Sequence, residues 1–146
     1  MTITTACQKK MTEVRNITCL SQTEVISRLK QNDISYNDFT QHFPSTGVEA
    51  DCFCISSPGS SCIFVLLYYY KSHQIGYWMA PKYRGKGFGR DFLKMTFKQA
   101  IHKHDPSYVL ALIHAGNTAS DKIISACHFK VMSNLPRQKL YVWCRP

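Results

Sequence analysis

Arg84-Gly85-Lys86-Gly87-Phe88-Gly89-Arg90 sets three cations and three glycines into one short stretch. Alternate glycines let a backbone close tightly with no β-carbon in the way, and cations around such a turn favour an anion. A long amphipathic run follows, so the turn opens a helix whose first N–H groups lack intrahelical partners at its positive end. That arrangement suits a phosphate. Spacing excludes two nucleotide loops. A Walker A loop needs Ser or Thr after Gly-Lys, whereas Gly87 follows Lys86. A Rossmann fingerprint needs Gly-x-Gly-x-x-Gly, whereas Gly85, Gly87 and Gly89 give Gly-x-Gly-x-Gly and position 90 is Arg.

The elements that must hold this turn are marked on both sides. Met1 to Met11 has no clear period and reads as a loose end. Glu13 to Leu20 holds β-formers, and Ser21-Gln22-Thr23-Glu24 is a capping box that opens a helix to about Lys30. A second short helix is expected over Ser35 to Phe43, ended by Pro44, with a loop over Gly47 to Asp51. Asp51 to Ser56 and Cys62 to Tyr70 form a hairpin around Ser57-Pro58-Gly59-Ser60. After a turn, Ile75 to Met79 is the next strand of an antiparallel meander, stopped by Pro81. From Gly87 to His104 the apolar residues Phe88, Phe92, Leu93, Phe97, Ala100 and Ile101 recur at helical spacing. Pro106 ends that helix. Tyr108 to Ile113 is almost wholly apolar, the pattern of a strand buried on both faces. Gly116-Asn117-Thr118 starts another helix with Ile123, Ile124 and Cys127 inward. Phe129 to Ser133 and Lys139 to Cys144 make a closing hairpin. The order β, α, α, β, β, β, α, β, α, β, β predicts a mixed sheet flanked by helices, an α/β or α+β class.

A chain of 146 residues, 45% apolar and 18% charged, fits one globular domain over residues 1–146. Its net charge of +9, from 18 Lys and Arg against 9 Asp and Glu, favours anionic partners and argues against a polycationic substrate such as a polyamine. Seven cysteines, an odd number, with a polar Met1 to Lys10, point to reduced thiols in a cytoplasmic protein. The longest apolar run, Cys62 to Tyr70, is too short to span a bilayer, so no membrane role is expected.

Arg84-Gly85-Lys86-Gly87-Phe88-Gly89 resembles the Arg/Gln-x-x-Gly-x-Gly acetyl-CoA signature of the GNAT superfamily of acyl-CoA N-acyltransferases. The likeness extends from Asp51 to Cys144: a strand and Pro81 precede the turn, a long helix follows, and a β–Asn–helix element comes later. There Asn117-Thr118-Ala119-Ser120 resembles the Asn-x-x-Ser pattern of the ribosomal-protein N-terminal acetyltransferase branch. The resemblance implies the GNAT fold, a mostly antiparallel sheet of six to seven strands with about four helices. It also implies direct acetyl transfer from acetyl-CoA to a primary amine (a protein N-terminus, a lysine or a small molecule) in a ternary complex, without a metal. The turn Arg84, Gly85, Lys86, Gly87, Phe88, Gly89 and Arg90 would then hold CoA's pyrophosphate, with Asn117 and Ser120. The strand residues Tyr77, Trp78 and Met79 would pair with the pantetheine arm, a backbone N–H near Tyr77 polarising the thioester carbonyl. Ser120 is the candidate acid for the departing thiolate, because the Tyr that many relatives carry seven residues after the Asn is Ile124 here.

For a general base, Glu49, Asp51, His73 and His114 lie near the expected sheet, and water is the alternative. Cys52-x-Cys54 with Cys127-His128 lacks the Cys-x-x-Cys knuckle of zinc sites and reads as core thiols. Tyr68-Tyr69-Tyr70 among basic residues carries a weaker signal for nucleic-acid or ribosome contact. The missing Tyr, the unassigned base and the +9 charge support an alternative function as a non-catalytic acyl-CoA-binding or RNA/ribosome-binding module on the same fold. The Gly-Phe that usually ends the Asn helix is His128-Phe129, and His tolerates the left-handed conformation required there. The helical segment Ser21 to Phe43 and the closing hairpin Phe129 to Cys144 are expected to wall the acceptor site, and the expected state is a monomer or homodimer.

Overall fold

A computed structural model describes residues 17–44, 49–56 and 62–146. The expected N-terminal loose end, the first residues of the opening strand, Cys7, the first two residues of the loop before Asp51 and the Ser57-to-Ser60 turn lie outside the described residues. In chain order the elements are β1 (Ile17–Ser21), α1 (Gln22–Leu29), α2 (Asp33–His42), β2 (Asp51–Ser56), β3 (Cys62–Tyr69) and β4 (Gln74–Met79). A 3₁₀ turn (Pro81–Tyr83) leads to α3 (Gly89–His104), β5 (Tyr108–His114), α4 (Thr118–Ala126), β6 (Lys130–Asn134) and β7 (Gln138–Cys144).

Local chemistry fixes the helix ends. Ser21 Oγ accepts from the Glu24 N–H at 3.2 Å while Glu24 Oε1 accepts from the Ser21 N–H at 3.1 Å, closing the capping box. Helix α2 starts earlier than its apolar pattern suggests, because the Asn32 side chain accepts from the Ser35 N–H and caps it. Helix α3 ends at Asp105, left-handed at φ 45°, ahead of Pro106. Beyond α4, His128 is left-handed at φ 68°, filling the place glycine usually takes.

The strands form one seven-stranded sheet in the order β1-β2-β3-β4-β5-β7-β6, antiparallel except for β4 with β5. Alternation sends Phe64, Leu66 and Tyr68 of β3 to one face, where they pack with Phe92, Leu93 and Phe97 of α3. Val65 and Leu67 go to the other face, against Val25 and Leu29 of α1 and Phe39 of α2. Cys52, Cys54 and Cys62 belong to this second core, and burial pushes the Cys52 thiol up to about 12, an inert state.

One sequence expectation fails. Strand β5 is buried on one face only: Val109, Ala111 and Ile113 are inside, while Tyr108 and Leu112 are exposed. Helix α1 packs over β1, β2 and β3.

The sheet opens beside β4. Parallel pairing with β5 covers only Gln74 with Leu110 and Ile75 with Ala111. Further along, β4 stays with β3 as far as the Phe64–Met79 pair, and β5 stays with β7 as far as the His114–Gln138 pair. The two strands therefore part as they approach the glycine turn.

Candidate functional site

A cavity of about 750 Å³ fills this opening and reaches both faces of the sheet. Tyr77, Met79 and Ile113 line it on the α3–α4 face, and Phe43, Tyr69 and Trp78 on the α1–α2 face. A second concavity, of about 470 Å³, lies at the β1–β2 edge and is bordered by Cys19, Glu49, Asp51, Tyr70 and Lys103.

Ala80 N–H donates to the Ile63 carbonyl at 2.8 Å, which sets the phase of the β3–β4 ladder. Antiparallel pairing alternates, so Trp78 and Gly76 turn their backbone groups to β3, and Tyr77 and Met79 turn theirs toward the opening. His73, on the same edge, accepts from the Leu110 N–H of β5 at 2.8 Å, in agreement with that phase. Of the three strand residues expected to pair with a ligand arm, Tyr77 and Met79 face the opening, the Met79 carbonyl being taken by Arg84 Nε, and Trp78 does not. The indole of Trp78 lies in the α1–α2 core, donating to Asp38 Oδ2 at 2.8 Å.

Gly85 and Gly87 are left-handed, at φ 73° and 80°, and a β-carbon built on either would meet nothing within 4 Å. The turn is thus shaped by glycine and open in front. Gly89, the first residue of α3, is tight instead: a β-carbon there would sit 2.7 Å from Ile123 Cδ1 of α4. No side chain caps α3, because the Phe88 ring is buried and stacked on Phe92 at 5.6 Å. Phe88 therefore offers the site only its backbone, and the first N–H groups of α3 are left for an external anion.

The three cations of the turn divide. Lys86 and Arg90 are exposed. Arg84 is not a free anion ligand: its guanidinium pairs with Asp38 of α2 and its Nε donates to the Met79 carbonyl at 2.8 Å. Burial pushes the Asp38 carboxyl upward, but the hydrogen bonds from Arg84 and Trp78 outweigh that and hold it below the usual carboxylate range. Arg84 and Asp38 tie α2, β4 and the turn together.

Asn117 caps α4, its Oδ1 accepting from the Ser120 N–H at 3.1 Å. Tyr77 Oη donates to the Ser120 carbonyl at 3.2 Å, fixing the start of α4 against β4. Burial pushes this phenol up to about 12, so it stays protonated as a fixed donor. Asn117 and Ser120 both line the cavity.

Of the four candidate bases, only His114 borders the cavity. Glu49 accepts from Tyr70 Oη at 2.7 Å and pairs with Lys71 at 3.4 Å. Asp51 pairs with Lys103 at 2.8 Å and with His104 at 2.7 Å. His73 is hydrogen-bonded to Tyr68 Oη at 3.0 Å. The tyrosine run is likewise engaged within the protein, since Tyr68 is fully buried and Tyr68 and Tyr70 both stack on His104. Among the described residues no group of three or more His, Cys, Asp or Glu could hold a metal ion, and no helix is long and apolar enough to cross a membrane.

His42, Phe43, Tyr69, Gln74 and Leu112 complete the cavity on the α1–α2 side; His42 and Phe43 lie in the helical segment expected to wall an acceptor, sequence reading missed the other three, and no described residue of the closing hairpin lines it. These side chains come from four places in the chain, and no short-range pattern joins them. Gly76 was the one available signal: a β-carbon there would lie 2.7 Å from Phe43 Cε1, so glycine makes room for that ring.

A family model described as an acetyltransferase (GNAT) domain matches residues 27–130. Among solved structures, the dodecameric spermidine N-acetyltransferase of Vibrio cholerae in an intermediate state superposes with a TM-score of 0.62 at 11% identity, over 88% of this chain and 92% of that one. The N-acetyltransferase PseH of Campylobacter jejuni superposes with a TM-score of 0.63 at 14% identity, over 89% of this chain and 99% of that one. Identities this low establish a shared fold. No curated protein matches the sequence significantly.

Proposed function

The chain belongs to the GNAT acetyltransferase family, and from that premise we propose that it moves an acetyl group from acetyl-CoA to a primary amine inside the cavity between β4 and β5. The observation that carries this reading is the junction of three features: open left-handed glycines, an uncapped helix start, and an unpaired strand edge. Each supplies backbone N–H groups where a long phosphate-bearing ligand needs them, and a β-carbon at 85 or 87 would intrude on that space. Acetyl-CoA supplies the acyl group as a thioester, which a neutral amine attacks directly to give an acetamide and the free thiol.

The residues divide the work. Gly85, Gly87, Gly89 and the exposed Lys86 and Arg90 hold the pyrophosphate, with Phe88 contributing backbone alone. Met79 and Tyr77 pair with the ligand arm, and the Tyr77 N–H is aimed to polarise the acyl carbonyl. Ser120 holds a proton for the thiolate, and the Asn117 cap together with the Tyr77 phenol keeps it in place. His114, the one candidate base that borders the cavity, accepts the amine's proton, directly or through water. The Asn117-to-Ser120 likeness to ribosomal-protein N-terminal acetyltransferases keeps a protein N-terminus among the acceptors to be assayed.

The test is thiol release from acetyl-CoA across a panel of small amines, lysine and N-terminal peptides. At least one amine is expected to turn over. Binding of acetyl-CoA in calorimetry, with no thiol released for any amine, would contradict the proposal and leave a binding module.

A further inference from the structure

The cavity passes through the sheet, and its two mouths differ in chemistry. The mouth on the α3–α4 face carries the glycine turn and the start of α4. The mouth on the α1–α2 face is lined by Phe43, Tyr69, Gly76 and Leu112, with His42 and Gln74 at its border. Phe43 lies directly over Gly76, and it is backed by an aromatic series: Phe39 stands 5.6 Å from Phe43 and 5.3 Å, edge-on, from Trp78.

Among the described residues, no carboxylate lines the cavity. Acidic side chains around it are already neutralised. Asp38 is taken by Trp78, Arg84 and, at 3.8 Å, His42. Asp121 accepts from Tyr141 Oη at 2.9 Å and pairs with Lys139 at 3.5 Å. Glu49 and Asp51 face the separate concavity at the β1–β2 edge.

A second ammonium group carried into this mouth would lose hydration and gain no counter-charge, a penalty that grows with burial. A flat apolar group would instead cover Phe43, Tyr69 and Leu112 and gain from the water it displaces. We infer that the acceptor is a monoamine carrying an aromatic or similarly flat apolar group, entering from the α1–α2 face, and that polyamines are rejected for want of a carboxylate. This rests on the acetyltransferase reading above, and it separates this chain from the structurally similar Vibrio cholerae protein, whose substrate is spermidine.

The experiment compares 2-phenylethylamine with spermidine in thiol release from acetyl-CoA by the full chain, alongside calorimetry of acetyl-CoA binding. The expected result is a kcat/KM at least about tenfold higher for 2-phenylethylamine, the scale of one unpaired polar group at a selective site. Leu112→Glu, a substitution at an exposed strand position, should move the ratio of the two toward spermidine by roughly fivefold, as for a partly exposed ion pair. Spermidine turned over as well as or better than 2-phenylethylamine would overturn the inference and leave the acetyltransferase reading standing. An unchanged ratio in Leu112→Glu would overturn the placement of the acceptor at this mouth. Acetyl-CoA bound but never consumed would remove both readings together.

Discussion

At the glycine-turn mouth the cavity meets the backbone of a turn and a helix start alongside Tyr77, Met79 and Ile113, and at the α1–α2 mouth it meets the side chains of Phe43, Tyr69 and Leu112. The first is built from contiguous residues, Met79 to Arg90, plus the cap of α4. The second is gathered from the end of α2, the end of β3, the start of β4 and the end of β5. A phosphate-bearing ligand can be met by peptide N–H groups, which tolerate changes in side chain. An acceptor differs from one member to the next, and only side chains can distinguish it. The contrast explains why a fold shared at 11% identity is compatible with a different acceptor.

The comparison breaks first at the backbone mouth. Gly87→Glu forces a β-carbon onto φ 80° and puts a negative charge into the anion cradle, and it should weaken acetyl-CoA binding by about a hundredfold or more. Calorimetry checks this, with circular dichroism confirming the fold. Asp38→Ala is expected to act on both mouths, because it releases Trp78, Arg84 and α2 together. A loss of about 1.5 kcal/mol in unfolding free energy, read from urea titration, follows from stripping hydrogen bonds to a charged group. The same carboxyl gives a pH signature. Its pKa is depressed in the fold, so its stabilisation is present above its unfolded value near 3.9 and is lost as pH falls through the folded value. Asp38→Asn should therefore show a shallower loss of stability than the wild type as pH is lowered below about 4.5.

Smaller effects sharpen the division. Tyr77→Phe removes the phenol's bond to the Ser120 carbonyl and should cost about 1 kcal/mol of stability, with acetyl-CoA affinity changing less than twofold or so. Gly76→Ala pushes on the Phe43 ring, which can swing aside, so it should raise the acceptor KM by roughly threefold while leaving acetyl-CoA binding alone. Equal effects of Gly76→Ala on both ligands would contradict the separation of the mouths.

The same contrast governs what could be read before the fold was known. The turn, the capping box at Ser21 and the Asn117 helix start are local patterns in which side-chain type and backbone conformation are tied over three or four residues. They located the helices and the glycine turn proposed to hold an anion. The engagement of Arg84 is hidden from the sequence because its partner, Asp38, is 46 residues away, and a spacing rule sees only its charge beside glycines. Trp78 was placed with its neighbours on the ligand edge, although the ladder phase set by Ala80 and Ile63 turns its backbone to β3. The apolar run of β5 predicted burial on both faces, whereas Tyr108 and Leu112 are exposed, and which face is covered depends on elements distant in the chain that no run of β5 residues encodes. The acceptor mouth had no local signature at all, since its side chains meet only after the sheet has formed.

The account is tested most directly by amide hydrogen exchange, read by mass spectrometry, with and without acetyl-CoA. It predicts slower exchange in peptides covering Tyr77 to Met79 and Gly85 to Asp91, and unchanged exchange over Phe39 to Phe43 until a reactive amine analogue is added. Unchanged exchange across Tyr77 to Asp91, or protection appearing at the β1–β2 edge concavity, would contradict it.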